Sequence, residues 1–238
     1  LLPFFNRNLV PRTVALGIAA AVGLIVVPTI PESLVVKADM QLFFLVAKEA
    51  FLGLLLGFVC AVPFWAIEAV GFFLDNQRGA TMASTLNPTT GSDTSPLGIM
   101  LGMSFMVFFF SIGGMTLLLE IIYETYQIWP IDSFWPELNL KSANQILLQI
   151  NRLMMIALVL ASPALLLMYF IELGLGLISR FAPQLQVFFL AMPIKSAVGI
   201  FVLIVYAGAL FDFGAVALLD LRNWPARLDS MLGGSATR

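Results

Sequence analysis

The sequence predicts an all-α membrane protein of five to six long hydrophobic helices, several of them broken or kinked at proline, with helical hairpins as one arrangement. Three observations predict it. Of 238 residues, 60% are hydrophobic and 11% charged, against about 45–50% and about 25% in a soluble domain. Apolar runs recur that reach the spanning length of roughly 18 residues. Prolines sit inside these runs rather than between them. So much apolar surface exceeds what one domain of this size can hide, and lipid or other subunits must cover it.

The runs follow in order. Thr13–Ile30, Ala50–Ile67, Leu97–Leu119 and Leu153–Ile171 carry no charge, and the second and fourth continue to Leu74 and Ile178 past single glutamates. Thr13–Ile30 has a basic flank, Arg7 and Arg12, but no Ala-x-Ala-like site, and reads as a retained span rather than a signal peptide. Leu185–Leu219 is interrupted by Lys195 and Asp212 and reads as one bent helix or a hairpin; five or six spans follow. Residues 1–220 read as a single helical membrane domain and 221–238 as a polar C-terminal tail. The last residues, Gly233–Arg238, native or foreign to the protein, are left out of the fold. The chain opens at Leu1 rather than Met, so residues are expected before it.

Leu42–Leu74 is 33 residues, or ~50 Å as a helix, against a hydrocarbon core of ~30 Å. It must tilt, bend or leave the bilayer. Pro63, Pro163 and Pro193 each remove a hydrogen bond, to the carbonyls of Val59, Val159 and Phe189. Neighbours can re-satisfy such carbonyls, so ordinary kinks and bends that shape a pore are both open. Gly53–Gly57 and Gly98–Gly102 are GxxxG pairs, which let backbones approach. The polar stretches Asp75–Pro96, Tyr126–Gln145 and Phe181–Gln184 read as connections, with Trp129 and Trp135 suited to an interfacial belt. In a five-span arrangement seven basic residues on one side oppose four on the other, which favours the former as cytoplasmic; six spans regroup the tail and leave orientation open.

Charge is costly here. A charged side chain at a bilayer centre costs ~2.5–3.5 kcal/mol on the lenient insertion scale, so Lys48, Glu49, Glu68, Asp75, Arg78, Glu120, Glu124, Arg152, Glu172, Lys195 and Asp212 must face water, each other or protein. Lys48, Glu120, Glu124 and Arg152 fit helix ends reaching interfacial water. Glu68 and Asp75, seven apart, share a helix face, and Asp75 and Arg78 can pair at three apart. Lys195 has no acid within four positions, so its partner comes from another segment or subunit. Met100, Met103 and Met106 repeat every three residues and read as packing or as a deformable seal.

Several chemistries are excluded. The net charge of −2 argues against a nucleic-acid partner. There is no histidine, and the single cysteine, Cys60, cannot form an intrachain disulfide. The sequence has no HExxH, Walker, GxSxG or Rossmann signature. Catalytic residues, metal ligands and cofactor sites are therefore expected to be absent.

Two segments carry a resemblance. The first is Glu68–Ala80, where Asp75-Asn76-Gln77-Arg78-Gly79-Ala80 ends an apolar run and leads to Asn87-Pro88. The second starts at Pro163, passes Arg180-Phe181-Ala182-Pro183-Gln184 and ends at Met192-Pro193-Ile194-Lys195. They resemble the SctT/FliR family of the type III secretion export apparatus, the injectisome branch more than the flagellar one. The resemblance implies an export-gate subunit of the bacterial inner membrane. It implies assembly with R and S subunits (flagellar P and Q) into a closed helical pore for unfolded secreted proteins, with U and V subunits as further partners. It also implies that part of the chain is raised out of the bilayer plane. By the same resemblance, the candidate gate or subunit-contact residues are Glu68, Gly71, Asp75, Gln77, Arg78, Gly79, Pro163, Arg180, Pro183, Pro193 and Lys195. A secondary transporter and a purely structural membrane scaffold are the alternatives; inverted repeats would favour the former, and none is found.

Overall fold

The structure, a computed structural model, describes residues 2–5, 10–27, 39–80, 95–131, 140–182 and 187–231. Among the described residues seven α-helices form: α1 Arg12–Val26, α2 Asp39–Arg78, α3 Pro96–Ser111, α4 Gly114–Ile128, α5 Leu140–Phe181, α6 Val187–Asp220 and α7 Trp224–Met231. Short 3-10 turns occupy Pro3–Phe5 and Leu221–Asn223. The all-α expectation holds, with no strand among the described residues.

Among the described residues three helices are long and apolar enough to cross a membrane, or up to four if α3 and α4 make one span. The sequence suggested five or six. The difference has local causes. The run Leu97–Leu119 breaks where Gly113 takes φ +78°, and α3 and α4 are bent by 75° there. Such a positive φ favours glycine. In the run Thr13–Ile30 the described helix has 15 residues, Arg12–Val26, and residues 28–30 lie outside the described residues. Of the two readings of Leu185–Leu219, the described residues give the single helix, α6, with Pro193 inside it, rather than the hairpin. Pro63 and Pro163 also sit inside continuous helices. At Pro163 the repair is visible: Ser162 Oγ donates to the Val159 carbonyl at 2.7 Å, the acceptor that proline leaves open.

The expected connections are shorter than composition suggested. Asp75–Arg78 belongs to α2, because the Asp75–Arg78 pair closes one helical turn. The helix stops at Gly79, φ +81°. The Gly79 amide donates to Asn76 O at 3.1 Å and the Ala80 amide to Asp75 O at 3.0 Å, a glycine-terminated C-cap. Pro96 opens α3 behind Ser95, the N-cap-then-proline order. α4 continues to Ile128, α5 begins at Leu140 and it reaches Phe181. Asn87, Pro88, Trp135, Pro136, Pro183, Gln184 and Gly233–Arg238 lie outside the described residues.

The chain divides into two units, Leu1–Val62 with Phe109–Ile150 and Val216–Arg238, and Pro63–Phe108 with Asn151–Ala215. The core of the first joins Leu52 and Val59 of α2, Ile121 of α4, Trp129, and Trp224 and Leu228 of α7. Three expectations change here. Trp129 is buried rather than interfacial, and Trp224–Met231, read by composition as polar tail, is a helix that buries Trp224 and Leu228. Lys48 is also buried rather than reaching water. Its Nζ donates to Pro130 O at 2.7 Å and Ile131 O at 3.4 Å, lies 3.1 Å from Glu49 Oε1, and sits over the Trp129 ring. It thus satisfies carbonyls past the end of α4.

In the second unit Phe64, Ile67, Val70, Leu74, Phe105, Met168 and Leu210 are fully or almost fully buried. Phe105 packs edge-on to Phe64 at 5.1 Å between ring centroids and also seats over Gly214, where a Cβ would overlap its ring. Met168 occupies the equivalent space at Gly199. The two GxxxG pairs differ. A Cβ on Gly98 would meet Ser95 Oγ at 2.8 Å and Glu68 O at 3.1 Å, so this pair does bring backbones close; a Cβ on Gly53 would meet nothing within 4 Å. Gly53 instead lines a cavity of about 470 Å³ in the first unit, walled by α1, α2 and α4.

Candidate functional site

The C-terminal end of α2 gathers charge inside the second unit. Asp75 is fully buried. Its Oδ2 accepts from Ser95 Oγ at 2.6 Å and from the Leu97 amide at 2.9 Å. Ser95 Oγ in turn accepts from the Gly98 amide at 2.9 Å. One carboxylate from α2 and one hydroxyl thus satisfy two of the amides that open α3. A negative charge at a helix N-terminus is also favoured by the helix dipole.

This cap requires α2 and α3 to approach closely, and Gly71 permits it. A Cβ there would stand 2.5 Å from Gly98 Cα and from Leu97 C, which are backbone atoms that cannot swing aside. Gly71 and Asp75 lie one turn apart on α2, so glycine and cap share a face. Glu68, one turn earlier, was expected on that face with Asp75. It is exposed where Asp75 is buried, because α3 covers one and leaves the other open.

On its other side Asp75 meets Arg78, with Nη2 2.5 Å from Oδ1. Arg78 Nη1 donates to Ser196 Oγ of α6 at 3.2 Å. A second charged group lies beside these. Lys195, the residue before Ser196, is 8% exposed and donates to Glu172 Oε2 of α5 at 2.8 Å. Gln77 Nε2 donates to the same oxygen at 3.3 Å. The buried ammonium therefore finds its counterion on another helix, as its sequence neighbourhood required. Four helices of the unit, α2, α3, α5 and α6, are cross-linked by these side chains.

Of the sequence candidates, Gly71, Asp75, Gln77, Arg78 and Lys195 come together. Gly79 ends α2 beside them, and a Cβ there would lie 3.3 Å from Met192 Cε. Pro163, Pro193 and Arg180 lie within α5 or α6, with Arg180 exposed in the last turn of α5. Pro183 lies outside the described residues. Met100 and Met103 are exposed on α3, Met106 less so.

Three side chains that complete this charged belt across α2, α3, α5 and α6 were missed as candidates: Ser95, Glu172 and Ser196. Ser95 had a signal, since serine before proline at the head of an apolar run marks an N-cap. Glu172 had one too, as a carboxylate inside an apolar run. Ser196 had none. Among the described residues no group of three or more His, Cys, Asp or Glu is placed to hold a metal. The arrangement can bind helices to one another and hold charge away from lipid.

The profile of the bacterial export proteins, family 1, matches residues 1–220. The chain is 43% identical over 204 residues to the Yop proteins translocation protein T of Yersinia pestis, covering 85% of this chain and 78% of that protein. It is 33% identical over 210 residues to the surface presentation of antigens protein SpaR of Shigella flexneri, covering 88% and 80%. It is 30% identical over 211 residues to the flagellar biosynthetic protein FliR of Bacillus subtilis, covering 88% and 82%. The apolar helices and these similarities make it a membrane protein of an export apparatus, and the chain belongs to the bacterial export proteins, family 1, the SctT/FliR family of type III secretion export-apparatus subunits.

Proposed function

We propose that this subunit helps to form the export gate of a type III secretion system in the bacterial inner membrane. It assembles with R and S subunits around a closed helical pore for unfolded secreted proteins, with U and V subunits alongside. It has no catalytic role; energy is coupled elsewhere in the machine. Part of the chain stands above the bilayer plane, its apolar surface covered by neighbours rather than lipid. Gly71, Asp75, Gln77, Arg78, Gly79 and Lys195 hold the subunit's helices in the assembled arrangement. Glu68, Pro163, Arg180, Pro183 and Pro193 shape or contact its neighbours, and Met100, Met103 and Met106 contribute to a deformable seal.

One observation carries the reading. Large apolar side chains such as Leu16, Phe43, Phe201, Ile204 and Val205 are about two-thirds exposed or more, while Asp75 and Lys195 are buried and paired. A chain that exposes apolar surface and internalises charge is built to be covered. α2, with 40 residues, spans ~60 Å at 1.5 Å per residue, about twice a hydrocarbon core. About half of its length is therefore left for partners to cover.

The test is co-expression of the chain with its R and S subunits, purification through a tag on this chain, and secretion measured in cells lacking the chromosomal copy. Co-purification of both subunits and restored secretion are expected. A chain that stays monomeric beside them sinks the proposal.

A further inference from the structure

Glu68 stands apart from the charged belt. It lies in the middle of the apolar stretch of α2, is exposed, and makes no hydrogen bond or ion pair among the described residues. The nearby cations of the unit are engaged elsewhere, Arg78 with Asp75 and Ser196, Lys195 with Glu172. An ionised carboxylate so placed cannot face hydrocarbon without a large penalty.

Its surroundings are specific. Trp65, Glu68 and Phe72 recur at helical spacing on α2, and Ile99, Gly102 and Met106 repeat that spacing on α3. The two stripes adjoin: a Cβ built on Gly102 would lie 3.8 Å from Glu68 Cβ, in ordinary contact. Phe72 and Ile99 are 43% and 42% exposed. The Glu68 side chain lies over the glycine, its Cγ and Cδ 3.9 Å from that Cβ, so one carboxylate lies across two otherwise apolar stripes. Two adjoining apolar stripes, one of them carrying an unpaired carboxylate, match the surface of a third helix that brings a cation.

We propose that this face docks a second subunit of the export apparatus through an apolar helix that sets a lysine or arginine against Glu68. The proposal rests on the gate-subunit reading above and names the side of the subunit that faces a neighbour. The partner's cation neutralises Glu68, and Glu68 neutralises the cation. Neither helix is then stable in lipid alone, which makes the contact specific as well as apolar.

The test uses the assembled complex in membranes, with a photo-crosslinking amino acid at Phe72 or Ile99 and Glu68 intact. The expected product joins this chain to one apparatus subunit, within a peptide containing a lysine or arginine. Glu68→Lys should lower both recovery of that subunit and secretion by about tenfold or more, since like charges then face each other. Glu68→Gln should lower them less. Changing the partner's cross-linked Lys or Arg to Glu should restore the Glu68→Lys variant. Cross-links only to lipid or to a stalled secretion substrate overturn the proposal, as does wild-type secretion by Glu68→Lys. If Glu68→Lys fails to enter the membrane, the cross-links and Glu68→Gln decide. A wild-type chain that recovers no subunit removes the gate-subunit reading itself, whereas a co-purifying chain with cross-links elsewhere removes only this face.

Discussion

Asp75 reaches across 22 positions of sequence to accept the Leu97 amide at 2.9 Å, so a carboxylate from the end of one helix caps the start of the next. Its other oxygen faces Arg78. Asp75→Ala removes both contacts and leaves the partly buried Arg78 guanidinium without its counterion. The expected loss is ~3–5 kcal/mol, the usual cost of breaking one half of a buried pair. Asp75→Asn keeps the shape and an acceptor and should lose ~1–3 kcal/mol. Unfolding of the purified complex in detergent measures both; equal stability of the two variants would refute the charge argument.

The close approach of α2 and α3 should make alanine harmful at one glycine and harmless at another. Gly71→Ala drives a Cβ into the Gly98 backbone, and overpacking of this kind costs ~1–3 kcal/mol or more. Gly53→Ala meets nothing within 4 Å and should gain up to ~0.8–1.0 kcal/mol from helix propensity. Thermal aggregation midpoints of the two variants should move in opposite directions. A tolerated Gly71→Ala would mean the helices can part there without loss.

Lys48 should prove structural rather than interfacial. Lys48→Met retains the stem but removes the donors to Pro130 O and Ile131 O, and should cost ~1–3 kcal/mol as carbonyls lose their partner. Arg222→Ala breaks a pair with Glu120 whose arginine is 63% exposed, and exposed pairs are worth only ~0–1 kcal/mol. Proteolysis near the Trp129–Ile131 turn should rise for the first variant and stay unchanged for the second.

Much of this was legible in the sequence because hydropathy and helix signals are local. The all-α class, the apolar runs, the internal prolines and the Asp75–Arg78 pair all follow from spacing along one chain. The errors share one cause. Composition marks Asp75–Gly79 and Trp224–Met231 as polar, yet both contain helix, because Asp75 finds Ser95 and Leu97, and Trp224 finds Leu52 and Val59, only in three dimensions. The break at Gly113 was hidden inside an uninterrupted apolar run, since hydropathy does not register φ. Glu172 was visible as a misplaced charge, but its pairing with Lys195 depends on how α5 and α6 pack, which periodicity on either helix cannot give.

That pairing gives the prediction closest to function. Lys195 Nζ donates to Glu172 Oε2 at 2.8 Å, with side-chain exposures of 10% and 53%. Water reaches the carboxylate, so the pair itself should contribute only about 1 kcal/mol to stability. Its larger effect is to fix where the ammonium sits. Lys195→Ala should therefore lower secretion more than it lowers the amount of chain inserted in the membrane, and Arg78→Ala should do the same through Asp75 and Ser196. Glu172→Gln should reproduce the Lys195→Ala defect, and the double variant should secrete no worse than the poorer single, because both changes undo one contact. Secretion assays and membrane fractionation on the same cells measure the two quantities together. Normal secretion by Lys195→Ala and Arg78→Ala would reassign these charges to interfacial anchoring, and defects that multiply in the double variant would mean that Glu172 and Lys195 act separately.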